Sequence, residues 1–587
     1  MTRRTIHRGD VELAVYERGD AGRPTVLCVH GYPDDHTVWD GVAERLAERF
    51  HVVTYDVRGS GTSTAPHGRD AYRVAELRDD LAAVLDAVSP DAPVHLVGHD
   101  WGSVQAWEAV ADVRLRSRLA SFTSMSGPCL DHFGQWLAAR RRLRPSDLRK
   151  LVSQLARSWY IGFFQLPVLP VLAARSGFLG AIVRVMQRIE GTPPARVRPG
   201  GARWGIEMYR ANAHRARHPG HRRTTVPVQV VVAQRDAYIT PALAEEAVNW
   251  ASQAWCREIP TGHWAPRSHP GVIARLVGEF ADHVDGAPPA RGLARARVRA
   301  GRAAFDDRLV LVTGAGSGIG RATALAFAER GAEVVAVDID AEAAQRTARL
   351  VGLVGPPGHD YAVDVSDGEA MAKLADAVRT AHGVPDIVVN NAGIAVAGPF
   401  LEVGLADWER IVDVNLWGVI HGTRLFGGQL AERGEGGHIV NIASAAAYAP
   451  SRVLSAYSVT KAAVLMLDQC VRPEFASYGV GVTTICPGFV ATSITRTARF
   501  AGTGGAEQER LRRWSTRALG LRRYPPERVA RRIVAAVLRD EAVVPVTPEA
   551  RALAVLGRLS PAALRGLARA PLPPFGGRPS RANGAPR

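Results

Sequence analysis

Apolar residues arrive in two rhythms along this chain. Short, nearly continuous apolar runs end in turn residues, and the longer stretches between them carry apolar positions at helical spacing. In the first half VELAVYERG, TVLCVHG, HVVTYDVRG, PVHLVGHD and PVQVVVAQRD read as strands. Continuous apolar strands alternating with helices imply a largely parallel sheet covered on both faces. The rhythm breaks over 130–225, which is helical, rich in Arg, Trp and Pro, and reads as an inserted cap. It collapses into Gly, Pro, Ala and Arg over 286–304, then restarts with RLVLVTGA, EVVAVDI, DIVVNNAG, GHIVNIAS and GVTTICPG, a helix near 526–539 and the run AVVPV. The pattern predicts an α/β domain over 1–285, a basic linker over 286–304, a second α/β domain over 305–550 with a doubly wound parallel sheet, and a basic, disordered tail over 551–587.

A chain of 587 residues has room for two such cores. Its formal charge of +16 raises nucleic acid and membrane surfaces as partners. Most of that excess sits in connectors: Arg291, Arg295, Arg297, Arg299 and Arg302 in the linker, and Arg551, Arg558, Arg565, Arg569, Arg578, Arg581 and Arg587 in the tail. Nucleic acid is therefore not expected. A weak membrane-surface contact through the tail segment AVLGRLSPAALRGLARA is the one surface partner the charge suggests. Lysine survives only as Lys150, Lys373 and Lys461. The five cysteines form no CxxC and no Cys/His cluster, so neither a metal site nor a disulfide framework is expected. The N-terminus lacks the apolar core of a signal peptide, and no apolar run reaches the roughly 18 residues of a spanning helix; the expected location is cytoplasmic.

The first chemistry lies in VHLVGHDWG. A strand ends, the chain turns at Asp100, and a helix follows, with Gly98 and Gly102 permitting the tight turn. A carboxylate at such a turn attacks carbon and forms an ester that water must hydrolyse. That second step needs a histidine and an acid to orient it, in the chain order nucleophile, acid, histidine. Asp236 and His263 fit, both following strand signals. The turn His30-Gly31-Tyr32-Pro33 follows another strand, so the backbone N–H groups of Tyr32 and Trp101 are the expected oxyanion hole.

These residues resemble the epoxide hydrolases of the α/β-hydrolase superfamily over roughly 5–285. Haloalkane and fluoroacetate dehalogenases share the aspartate nucleophile, so the turn alone leaves both readings open. The resemblance extends to the cap: Tyr160 in Tyr160-Ile161-Gly162-Phe163-Phe164-Gln165-Leu166-Pro167 and Tyr209 in Met208-Tyr209-Arg210-Ala211-Asn212 match the two family tyrosines whose hydroxyls bind and protonate an epoxide oxygen. The apolar cap sequence FFQLPVLPVLAA hints at a lipophilic epoxide.

The second chemistry begins at Thr313-Gly314-Ala315-Gly316-Ser317-Gly318-Ile319-Gly320, between a strand and a helix, where Gly314, Ser317, Gly318, Ile319 and Gly320 form a pyrophosphate cradle. Asp338 ends the next strand, where a carboxylate bonds ribose hydroxyls and repels a 2′-phosphate, favouring NAD over NADP. Tyr457 and Lys461 are four apart and share a helix face, so the ammonium is expected to lower the phenol's pKa.

The spacing resembles the classical short-chain dehydrogenases/reductases over roughly 305–550. The resemblance implies adenine contacts at Asp364 and Val365, a cofactor-side turn at Asn391, Ala392 and Gly393, and a nicotinamide-side loop at Pro487, Gly488 and Thr492. It also implies catalytic roles for Asn415, Ser444, Tyr457 and Lys461, with Tyr457 and Lys461 bordering the cofactor, an alcohol or ketone substrate, and a homo-oligomer formed through this domain. The whole chain resembles actinobacterial-type fusions of the two families. A first half that releases halide, or one half kept as a non-catalytic binding or oligomerisation module, are the alternatives.

Overall fold

The computed structural model describes residues 1–567 except 141–143, 195–198, 216–218, 221, 493 and 522–523. The chain divides into two compact units, Met1–Ala300 and Gly301–Arg587.

In the first unit β1 (Thr2–Arg8), β2 (Val11–Arg18), β3 (Thr25–Val29), β4 (His51–Tyr55), β5 (Val94–His99), β6 (Leu119–Met125), β7 (Val228–Ala233) and β8 (Ala254–Ile259) form one sheet in the order β1-β2-β4-β3-β5-β6-β7-β8. The pairs β1–β2 and β2–β4 are antiparallel and the rest parallel. All residues of β3, β4, β5 and β7 are buried. Alternation explains why: Leu27 and Val29 enter the core on one face, and Val26 and Cys28 the core on the other. Each fully buried side chain of this size contributes ~1.5–3 kcal/mol relative to exposure, so both faces favour the strand. The chain order reverses around β3 and β5, whose registers pair Val29 with Gly98. Their carboxyl ends therefore lie side by side, at the crevice where open α/β sheets bind ligands. Among the described residues the cap between β6 and β7 holds the α-helices Leu130–Arg140, Pro145–Arg157, Trp159–Phe164, Leu169–Arg175, Phe178–Ile189 and Pro199–Asn212.

The second unit has β9 (Leu309–Thr313), β10 (Glu333–Asp338), β11 (Gly358–Ala362), β12 (Ile387–Asn390), a small pair of β13 (Val396–Ala397) with β16 (Arg499–Phe500), and β14 (Gly437–Ile442), β15 (Val480–Cys486) and β17 (Val543–Pro545). Its main sheet runs β11-β10-β9-β12-β14-β15-β17, parallel throughout. The order reverses between β9 and β12, which places the glycine-rich turn beside Asn391-Ala392-Gly393.

Two expectations are corrected. The segment 286–304 is not a free linker. Arg291–Ala296 is helical, Leu293 is fully buried against Trp255 and Phe280, and Val298 donates its N–H to the Ala254 carbonyl. The arginines masked one apolar anchor. Nor does the ordered chain stop at 550. Helices Pro548–Leu559 and Pro561–Leu567 follow, the first capped by Thr547 Oγ1, with Ala550 and Leu564 buried. Residues 568–587 of the expected tail lie outside the described residues.

Candidate active sites

Asp100 follows β5 with φ 52°, and the helix Trp101–Ala111 begins at once. A side chain at Gly98 would lie 2.6 Å from Ser103 Cα, and one at Gly102 would lie 2.1 Å from the Val29 carbonyl oxygen. Both glycines are thus required by close packing of helix against strands. The turn aims the Asp100 carboxylate at the end of β3. Its Oδ1 accepts the Tyr32 N–H at 2.7 Å, and the Trp101 N–H also bonds the carboxylate. Burial nevertheless dominates and pushes the group up to about 6.

His263 is fixed from the other side. Its Nδ1 lies 3.0 Å and 3.2 Å from the Asp236 oxygens, and its Nε2 lies 3.7 Å from Asp100 Oδ2. Asp236 is buried, yet the His263 charge and hydrogen bonds from His263 and Ser126 hold it below the usual carboxylate range. Burial opposes a charge on His263, but Asp236, Asp100 and Glu190 outweigh it and hold the imidazole at about 9.

The cap brings Tyr160 and Tyr209 over this group. Their ring centroids are 5.8 Å apart, and the Tyr209 ring packs edge-on to Trp101 at 4.9 Å. Tyr209 thus packs edge-on to both other rings, and both phenols feel the charge of Asp100. Burial keeps both protonated.

Three neighbours escaped the sequence reading. Tyr238 stands edge-on to His263 at 4.7 Å and to Tyr160 at 5.5 Å, two residues past Asp236. Buried His99 bonds the His263 carbonyl at 2.8 Å and is pushed down to about 3. Glu190, at the end of a cap helix, presses on Gly262 and is raised above its ordinary value by burial. Nothing local in sequence marks Glu190; only the fold brings it to the histidine.

In the second unit a cleft of about 1240 Å³ gathers Gly314, Ser317, Gly318, Ile319, Asp338, Asp364, Val365, Asn391, Ala392, Gly393, Ser444, Tyr457, Lys461, Pro487, Gly488 and Thr492. Gly320 and Asn415 do not line it. Gly320 acts beneath the turn: a side chain there would lie 2.1 Å from the Gly314 oxygen. Gly314 has φ 61° and Gly318 φ 53°, and helix Gly318–Ala328 opens on this cradle with no side-chain cap at Ser317. Asn391 ties the turn down by donating to the Thr313 and Gly314 carbonyls at 3.0 and 3.1 Å. A narrow turn opening on a helix N-terminus fits the pyrophosphate of a nicotinamide cofactor. Asp338 Oδ2 accepts the Gly316 N–H at 2.8 Å.

Tyr457 and Lys461 sit on helix Ser455–Ala476, with Lys461 Nζ 5.9 Å from the Tyr457 ring centre. Lys461 donates to the Ile442 carbonyl at 2.9 Å, and burial pushes it down to about 8. The expected lowering of Tyr457 by the ammonium is corrected. Burial raises the phenol, opposed by a hydrogen bond from Ser444. Lys461 is buried and Tyr457 partly so at the cleft wall, and desolvation works against the charged form of each. Asn415 lies in a π-helical turn, Asp413–Trp417, and its side chain bonds both backbone groups of Ile394, at 2.8 and 3.0 Å. A side chain at Gly393 would lie 3.2 Å from Asn415 Oδ1 and 3.4 Å from Lys461 Nζ, so the two groups meet across that glycine.

Comparison with known proteins agrees with this division. Residues 24–270 match the alpha/beta hydrolase fold model, and residues 308–501 match the short chain dehydrogenase model. A protein of Mycobacterium tuberculosis named "Probable oxidoreductase EphD" is 44% identical over 574 residues, spanning 95% of this chain and 97% of that one. The chain belongs to the EphD family. It is a hydrolase-fold unit fused to a short-chain dehydrogenase unit, and the latter implies a nicotinamide cofactor. The dehydrogenase half of this EphD-family chain is also 37% identical over 257 residues to "Putative oxidoreductase SadH" of M. tuberculosis, covering 43% of this chain and 91% of that protein. A short-chain dehydrogenase/reductase from Burkholderia phymatum, solved with NAD, is 30% identical, covers 46% of this chain and 98% of its own, and gives a TM-score of 0.42.

Proposed function

We propose that the first unit hydrolyses an epoxide to a vicinal diol and that the second oxidises an alcohol or reduces a carbonyl with NAD. One observation carries the first reading: two edge-packed cap phenols, both within the field of Asp100, accompany an aspartate whose Oδ1 is held by the Tyr32 amide. Oδ2, facing His263, is the attacking atom. It forms a C–O bond to an epoxide carbon, the ring C–O bond breaks, and the released oxygen takes a proton from Tyr160 or Tyr209. His263 Nε2 then takes a proton from water, which adds to Asp100 Cγ. The Tyr32 and Trp101 amides stabilise the resulting oxyanion. The ester C–O bond breaks, the carboxyl proton goes to the departing diol oxygen so that Asp100 is restored as the carboxylate, and the proton that His263 took returns the donor tyrosine to its phenol.

In the second unit, a bound nicotinamide supplies the hydride acceptor or donor. Gly314, Gly318 and Gly320 shape the turn that holds its pyrophosphate, and Asp338 accepts ribose hydroxyls. Ser444 orients the substrate oxygen, and Tyr457 exchanges a proton with it. Lys461 and Asn415 hold the polar path behind the phenol. The deciding experiment supplies a panel of epoxides with and without NAD and identifies the products. Diols from intact protein but not from Asp100→Ala support the first reading. Halide release from haloalkanes, with no diol from any epoxide, overturns it.

A further inference from the structure

The cap is built inside out. Helix Phe178–Ile189 carries its apolar stripe, Phe178, Ile182, Val185 and Ile189, toward solvent at 60%, 42%, 52% and 73% exposure, while Gln187 on its opposite side is buried. That stripe follows the one-face spacing of an amphipathic helix, yet its four side chains are exposed. Helix Pro145–Arg157 repeats the arrangement with Leu148, Val152 and Leu155 exposed and Gln154 buried, and Trp159 follows at 68% exposure. Leu169 and Leu172 add to the surface from the helix between. Isolated apolar residues on a surface are ordinary; several consecutive helices with the same reversal mark an interaction face.

Charge identifies the partner. From 145 to 189 the chain has six basic residues, Arg149, Lys150, Arg157, Arg175, Arg184 and Arg188, against one acid, Asp147. None of the six is in an ion pair among the described residues. Among those residues no single helix is long and apolar enough to cross a membrane. The pair Leu169–Arg175 and Phe178–Ile189 meets that test jointly by length and composition, but is bent by 75°. Apolar stripes with unpaired arginines at their borders, on bent helices too short to span, suit the boundary between lipid headgroups and acyl chains.

We propose that the outer face of the cap is a docking surface for an anionic lipid bilayer. Phe178, Ile182, Val185 and Ile189 enter the acyl boundary, and Arg175, Arg184 and Arg188 meet lipid phosphates. This differs from a contact through the C-terminal tail, because the apolar residues belong to the folded cap.

Flotation of the full-length protein tests it, with vesicles of phosphatidylcholine containing about 30 mol% phosphatidylglycerol against phosphatidylcholine alone. Wild type should float with the anionic vesicles and far less with neutral ones. Ile182→Glu/Val185→Glu/Ile189→Glu should lose binding at least tenfold. Arg175→Gln/Arg184→Gln/Arg188→Gln should weaken anionic-vesicle binding on the order of a hundredfold, at about 1 kcal/mol per charge. Neutralising Arg569, Arg578, Arg581 and Arg587 together should leave flotation unchanged. Single Ile189→Glu provides a milder variant, and melting curves confirm folding for all. The proposal fails if wild type ignores anionic vesicles, if the triple glutamate variant floats like wild type, or if the tail variant alone abolishes flotation. It also fails if light scattering shows the glutamate variant splitting a wild-type oligomer that does not bind vesicles, since a second copy then covers the face.

Discussion

His263 Nε2 stands 3.7 Å from Asp100 Oδ2, close enough that each group sets the other's charge. Asp100 is among the groups that hold the imidazole at about 9, and His263 in turn offsets the burial that raises Asp100 to about 6. At neutral pH the resting pair is therefore imidazolium and carboxylate. Esterification removes the Asp100 charge, so the His263 pKa falls and the ring becomes a base at the step that needs one. Asp100→Asn imitates that loss. Its His263 should titrate clearly below about 9 in an NMR titration, and an unshifted value would sink the coupling. The covalent step needs ionised Asp100, so its single-turnover rate should fall as pH drops through about 6, approaching tenfold per unit below it.

The cap phenols give a second prediction. Tyr160 and Tyr209 pack edge-on at 5.8 Å within the field of Asp100, so either can protonate the leaving oxygen when the other is lost. Single Tyr→Phe variants should slow epoxide opening modestly, and the double variant by about 10²–10⁴-fold, the usual worth of a positioned acid. His263→Gln should instead open the epoxide and stall, leaving a mass increase on Asp100. A double Phe variant at wild-type rate would remove the acids from the mechanism.

Residues read most clearly in the sequence where one strand end or one helix face holds the chemistry. Asp100, the glycine-rich turn and the Tyr457/Lys461 pair are local in this sense. The strands that escaped notice show the limit. β1 buries only Ile6, and β11 is a polar edge strand, so neither makes an apolar run. β6 contains Ser121, Thr123 and Ser124, which look exposed in sequence but are buried against His95, Gln229 and Ser103. β8 carries Arg257, buried by its ion pair with Glu279. Glu190 and Tyr238 join His263 through cap packing and ring stacking, which no spacing rule encodes.

Tyr457 carries the third prediction. Burial raises its phenol and lowers Lys461 to about 8, so near neutrality the phenol keeps its proton and the ammonium is about one pH unit from losing its own. Alcohol oxidation needs the phenolate to accept a proton; carbonyl reduction needs the neutral phenol. Oxidation should therefore rise with pH through 8 and beyond, while reduction should hold over that range and fall only above pH 10, where the raised phenol begins to ionise. Tyr457→Phe should remove both directions and leave epoxide hydrolysis intact. An oxidation rate that is flat from pH 6 to 10 would contradict the assigned proton transfer.

Cofactor choice rests on Asp338. Its Oδ2 already accepts the Gly316 amide and its Oδ1 the Asp340 amide at 3.1 Å, which fixes the carboxylate at the end of β10, beside the glycine-rich turn. A 2′-phosphate placed there would meet a held negative charge. The arginine that the fold brings to this turn, Arg321, is turned toward the Gly316 carbonyl and Thr347, and Asp338 has no ion pair among the described residues. NAD should therefore bind more tightly than NADP. Asp338→Ala should narrow the gap chiefly by weakening NAD, because it removes a ribose acceptor as well as a repulsion. Ile339, 70% exposed beside it, is the position from which a cation could reach a phosphate. Adding Ile339→Arg to Asp338→Ala should then favour NADP, since a guanidinium bonds phosphate oxygens in pairs. Dissociation constants for both nucleotides, measured on wild type and each variant, give the answer. Tighter NADP than NAD in the wild type would show that a cation from elsewhere in the fold outweighs Asp338.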